Sequence, residues 1–230
     1  MREKKNIKLD AVNLLDEIQN GKYSNIQMNY YFSRNEYSKK EKEFITNIIN
    51  VTLKNLIFVD YVLGQTVRNI QKRKIKQLLR ISAAQILFMD SDNAGIVYEA
   101  GEISKIINKH QTGFVNATLQ AIIKNKEEII NAIPEDKREG IIYSYPQWFV
   151  NKLKTDYPDD YIGIMKAYKE RSYLSVRYNR KKLSKENFKK ILSEVKSEVL
   201  FSADEVYYLS NGNILSTDEY KRGDIISLFF

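Results

Sequence analysis

The chain has 230 residues, 43% of them hydrophobic, and carries a net charge of +8 at neutral pH, enough apolar material for one large domain or two modest ones. It has no cysteine and one histidine, His110, which excludes disulfide frameworks, thiolate chemistry and multi-histidine metal centres. Its nine glycines never stand one residue apart, so neither a G-x-G cofactor turn nor a P-loop is present.

Ile7, Ala11, Leu14, Leu15 and Ile18 recur at helical spacing and predict an amphipathic helix that stops near Gly21. A short helix follows around Ile26–Phe32. Ser38 then reads as an N-cap with Glu41 completing a capping box. The helix it starts presents Phe44, Ile45, Ile48, Ile49, Thr52, Leu56 and Val59. Further helices are expected over 74–89, over 94–108 and after Gly113. Six or seven helices with short connections predict an all-α bundle over 1–133. Residues 134–142 begin with the charged, breaker-punctuated PEDKREG and are expected to be a linker.

The character changes beyond it. Residues 146–156 and 158–170 read as helices, Leu174, Val176 and Tyr178 as one face of a strand, and Ser184 as the cap of another helix. Val199–Phe201 and Val206–Leu209 read as strands, with a hairpin turn expected at Asn211-Gly212. A small α+β module over 143–230 is therefore expected, and the fold as a whole is mainly α. Ile225–Phe230 reads either as an edge strand of that module or as the lead into a longer chain. No apolar run exceeds four residues, so no membrane span or signal-peptide core is expected, and the chain is expected in the cytoplasm.

A basic chain favours an anionic partner. The total charge is weak support, because 27 Lys beside 20 Asn and 28 Ile is also what A/T-rich coding DNA gives. Placement says more. Tyr61 to Met89 contains no acidic residue, and Arg68, Lys72, Arg73, Lys74, Lys76 and Arg80 crowd there. A second cluster is Arg177, Arg180, Lys181, Lys182 and Lys185, and the chain opens with Arg2, Lys4 and Lys5. A solvated helix face is the competing reading of each cluster.

Several stretches resemble one family in order. RKIKQLLRISAAQILFMD (73–90) is similar to the LLR-x-x-x-x-Q helix of NusB-like domains, and GFVNATLQAI (113–122) to their G-F-V-N-A-x-L-R segment. YSYPQWFVNKL (143–153) and LSVRYNRKKLSKENFKKIL (174–192) resemble the second domain of the RsmB (Fmu/Sun) type of 16S rRNA cytosine-C5 methyltransferase. Departures are Ala84 where the family has an aromatic, Tyr98 where it has Asn, and Gln120 where it has Arg.

The resemblance implies an RNA-binding, NusB-like bundle followed by the second domain, without the catalytic domain. The family uses S-adenosylmethionine and a cysteine thiolate that adds to the base. Neither that cofactor site nor a cysteine is present here, so the chain alone is expected to be inactive and to hold no cofactor or metal. RNA contacts are expected from Arg2, Lys4, Lys5, Lys72, Arg73, Lys74, Lys76 and Arg80 in the bundle, and from Arg177, Arg180, Lys181 and Lys182 in the module. Small-subunit rRNA is the expected partner, with a protein partner possible on the helical domain. A NusB-like antitermination factor, binding RNA with a ribosomal protein, is the alternative. Blander readings are a structural Arg80, a packing role for Trp148, a helix-end His110, and an Asn116 that satisfies backbone groups.

Overall fold

Local signals in the sequence begin the first elements of the computed structural model, which describes residues 6–70, 72–170 and 173–228. Helix α1 (Ile7–Ile18) starts where the Asn6 side chain accepts from the Leu9 amide, and it turns Ala11, Val12, Leu14 and Leu15 into the core. Helix α2 (Ser24–Arg34) buries only Gln27. Helix α3 (Lys39–Lys54) opens with the expected capping box: Ser38 Oγ accepts from the Glu41 amide, and the Glu41 carboxylate accepts from the Ser38 amide.

The helix expected to run on to Val59 instead breaks at Asn55, where φ is −117°, and resumes as α4 (Leu56–Thr66). The break is held from far away. Ser144 Oγ accepts the amides of Ile57 and Phe58 at 2.8 and 3.2 Å, filling the N-terminus of α4.

Helix α5 (Arg73–Phe88) is the axis of the bundle and touches α1, α3 and α4. It also packs against α6 (Asn93–Asn108) and α7 (Thr112–Asn131). Ile75 and every residue from Gln77 to Ile86 are buried, as a helix surrounded on all sides requires. Helices α6 and α7 approach closely at Gly101, where an added Cβ would lie 3.0 Å from Asn116 Oδ1. That buried oxygen has no hydrogen-bond partner, so Asn116 does not satisfy backbone groups through it.

Residues expected as a linker are folded. They form a 3-10 turn (Glu135–Lys137) and α8 (Arg138–Ile142), which packs on α4. Helices α9 (Gln147–Asp156) and α10 (Tyr161–Lys169) follow, with Val150, Leu153 and Met165 at the centre of a small cluster including Tyr145, Phe149 and Tyr161. The two compact units part between Lys166 and Ala167, later than the boundary expected from composition. An aromatic-rich stretch that reads as the start of a module instead closes a cluster in the first unit.

The second unit runs β1 (Leu174–Tyr178), α11 (Lys185–Glu194), β2 (Val199–Ala203), β3 (Val206–Leu209), α12 (Asp218–Lys221) and β4 (Ile225–Leu228). All strand pairs are antiparallel, in the order β2-β3-β1-β4. Ser184 caps α11, which lays Phe188 and Leu192 against Val176, Tyr178, Leu209 and Ile225. Mainly α, with a helical bundle followed by a small α+β module, is the fold the sequence predicts.

The hairpin turn is a correction. Strands β2 and β3 turn at Asp204-Glu205, with Asp204 at φ 52°, whereas Gly212 has φ −95° and leads into a 3-10 turn. The Asn211 side chain is occupied otherwise: its amide donates to Lys196 O, and its oxygen accepts from Ser197 Oγ and the Asn213 amide. The apolar segment at 225–228 is an edge strand paired with β1.

Candidate nucleic-acid interface

Helix α5 emerges from the core only at its ends, and its exposed first turn holds the main cationic cluster. Lys72, Arg73 and Lys74 are exposed there and Lys76 is half-buried. Among the described residues no side chain caps this N-terminus, and the first turn contains no acidic residue. The cations therefore add to the positive end of the helix dipole, at a cost of about 0.3–1 kcal/mol per charge near a surface. A bound anion would relieve that cost.

Two of these side chains are steered by α1. Arg73 donates to Asp16 Oδ2 and to Asn20 Oδ1, both at 2.7 Å, and Lys74 Nζ donates to Asn13 Oδ1 at 2.9 Å. Lys72 makes no ion pair or side-chain hydrogen bond among the described residues. Lys76 joins Arg68, Asn69, Gly64 and Asp60 around a cleft of about 230 Å³. Arg68 lies in the acid-free run yet was not among the expected contacts. Only the path of the 67–70 loop brings it beside Lys76.

Arg80 is a correction. It is 7% exposed and its guanidinium grips Asp60 through Nε–Oδ1 at 2.7 Å and Nη2–Oδ2 at 2.5 Å. Its Nη1 donates to Gln19 and Gln77, both at 3.1 Å. One buried fork thus joins α1, α4 and α5, and no donor pattern is left for a phosphate. Arg80 is therefore a structural residue, and the surface cluster is smaller by one. Arg2, Lys4 and Lys5 lie outside the described residues.

In the second unit, Arg180 pairs with Glu205 at 2.8 Å and Lys182 with Asp224 at 3.4 Å. Arg177 and Lys181 are exposed, and neither side chain makes an ion pair or hydrogen bond among the described residues. With Arg180, Asn179, Glu205 and Ile226 they line a shallow recess of about 420 Å³. His110 is exposed at a helix end. Trp148 is 70% exposed, edge-on to Phe149, which is not the burial expected of a packing anchor. Among the described residues no group of three or more His, Asp or Glu side chains is placed to hold a metal, and no helix is long and apolar enough to cross a membrane.

Comparison with known proteins also finds two parts, with the second match beginning at 145, ahead of the division at Lys166. The NusB family model matches residues 5–124, and that of the RsmF/B-like methyltransferase ferredoxin-like domain matches residues 145–206. The probable ribosomal RNA small subunit methyltransferase B of Bacillus subtilis (strain 168) is 33% identical over 159 residues, covering 66% of this chain and 35% of that protein. The ribosomal RNA small subunit methyltransferase B of Escherichia coli O17:K52:H18 is 22% identical over 161 residues, covering 68% and 37%. The transcription antitermination protein NusB of Campylobacter jejuni (strain RM1221) is 25% identical over 132 residues, 55% of this chain and 100% of that protein. The crystal structure of PH0851 shares the fold, with a TM-score of 0.70 at 18% identity over 99% of this chain and 54% of that one.

The chain thus spans little more than a third of the methyltransferases it matches and extends beyond the NusB proteins it matches. By its first half this chain belongs to the NusB family, and behind that domain it carries a ferredoxin-like domain of the RsmF/B methyltransferase type.

Proposed function

We propose that this chain binds RNA through the first turn of α5 and the loop before it, as the RNA-holding part of a 16S rRNA cytosine-C5 methyltransferase acting in the cytoplasm. One observation carries the reading: Lys72 and Lys74, which pair with no carboxylate among the described residues, stand beside the Asp16-paired Arg73 at the positive pole of an otherwise buried helix, where they cost stability unless an anion binds. Asp16, Asn20 and Asn13 hold two of them in place, so less side-chain freedom is lost when phosphates are gripped. Arg68 and Lys76 extend the same face into the cleft.

The rRNA substrate is supported by the methyltransferase relatives and by the ferredoxin-like domain at 145–206, which has no counterpart in the NusB match. These 230 residues supply recognition rather than transfer, having neither a cysteine nor a glycine-rich turn. S-adenosylmethionine would supply the methyl group in the whole enzyme, at residues not found here.

The test is filter binding of small-subunit rRNA fragments and of a boxA-like RNA across a salt series. We expect tighter binding to the rRNA fragments, and a salt slope flattened by about 2 in the Lys72→Glu/Lys74→Glu/Lys76→Glu variant, as three lost phosphate contacts require. An unchanged slope would remove this face from the interface. Preference for the boxA-like RNA, strengthened by a ribosomal protein, would favour the antitermination role.

A further inference from the structure

Strand alternation sends one face of the four-stranded sheet against α11 and leaves the other open. On the open face the register aligns a row across all four strands: Phe201, Tyr208, Ser175 and Leu228. Phe201 and Tyr208 stack on each other with ring centroids 4.2 Å apart and planes 14° apart. Tyr173, just ahead of β1, stands edge-on to Phe201 at 5.7 Å. Phe201 is 48% exposed and Tyr173 53%, although the core of the unit is already complete on the other face. Ser175 adds a low point to the row, its hydroxyl donating to Leu228 O at 2.6 Å.

Cations flank these rings. Arg177 lies on the same face, opposite Ile226 in the register, and Lys181 shares the adjoining recess. Exposed aromatics next to uncommitted Arg and Lys suit an unpaired polynucleotide, whose bases offer π-faces and whose phosphates offer charge. A duplex hides its base faces, and a purely apolar protein partner gives Arg177 nothing to pair with.

We propose that this open sheet face is a stacking platform for bases of single-stranded RNA, with Phe201, Tyr208 and Tyr173 as the ring surface and Arg177 and Lys181 holding phosphates. It is a second surface, on a different unit from α5, and does not depend on the α5 reading.

Fluorescence anisotropy of the full 230-residue chain tests it. The probes are a labelled single-stranded RNA of about eight nucleotides, an abasic strand of the same length, and an RNA duplex. Phe201→Leu and Tyr208→Leu should each weaken single-strand binding about tenfold with the salt slope unchanged, while Tyr208→Phe keeps the affinity. Arg177→Gln should lower the slope by about 0.7. Equal binding of the abasic strand, or Leu variants that fold by circular dichroism and bind like the parent, overturns the proposal. Lys72→Glu/Lys74→Glu is the control: if it leaves the aromatic dependence intact, the platform stands whatever becomes of the α5 face.

Discussion

Arg80 and Lys8 are both cations inside the helical unit, yet their partners give them opposite value. Arg80 meets a fork of acceptors from three helices, so its removal strands Asp60, Gln19 and Gln77 together. Arg80→Ala is expected to cost about 3 kcal/mol in urea unfolding and to leave the salt slope of RNA binding unchanged. Lys8 is 4% exposed and among the described residues pairs only with Glu99, which is largely in solvent, at 3.3 Å. Burial lowers the Lys8 pKa below the ordinary 10.5, outweighing the attraction of Glu99. The unfolded chain then binds the extra proton between the lowered value and 10.5, so stability rises with pH through that window. Lys8→Met should abolish this rise without destabilising the protein at neutral pH, as thermal melts at stepped pH would show. In sequence the two residues look alike as cations on amphipathic helices. Apart from Gln77, three positions from Arg80, the partners that separate them lie 20 to 91 positions away.

Helix α5 sets function against stability within one element. Replacing Lys72 and Lys74 with Glu puts negative charge where the dipole favours it. The double variant should gain about 0.3–1 kcal/mol per site while losing RNA affinity; denaturant unfolding and filter binding on the same preparation check both signs. Which elements were legible follows from the reach of their signals. The Ser38–Glu41 capping box and the Ser184 cap span three residues and stand in the sequence as they stand in the fold. The break at Asn55 depends on Ser144, from a different part of the chain. The misplaced hairpin has a similar cause, since Asn211 spends its side chain on Ser197 and Lys196 rather than on a turn. The motifs that carried the resemblance mark packing: Arg80 and Gln85 are buried, and Asn116 lies against Gly101.

At the scale of the molecule, each hydrophobic cluster closes within its own unit: one around α5, a small one around Val150, and one around Phe188. Phe188 is fully buried between α11 and the sheet, stacked on Tyr178 with ring centroids 4.9 Å apart. Phe188→Ala should therefore lower the unfolding free energy of the second unit by about 3–5 kcal/mol and leave that of the helical unit unchanged. Hydrogen exchange resolved by segment reads the two separately. The order of two unlike modules was legible from periodicity changing from helical to alternating. The division at Lys166 was not, because which unit an aromatic cluster joins is decided by packing.

The strand order has a consequence for the chain as it is synthesised. Strand β1 is made first yet sits between β3 and β4, and its partner Ile225 lies 47 positions after Tyr178. While the ribosome adds those residues, the backbone amides and carbonyls of β1 facing β4 have no strand to bond, an open edge that invites pairing with another chain. The helical bundle, finished earlier, meets no such delay. The hazardous interval in making this module therefore comes after the bundle is complete, and it ends when β4 docks.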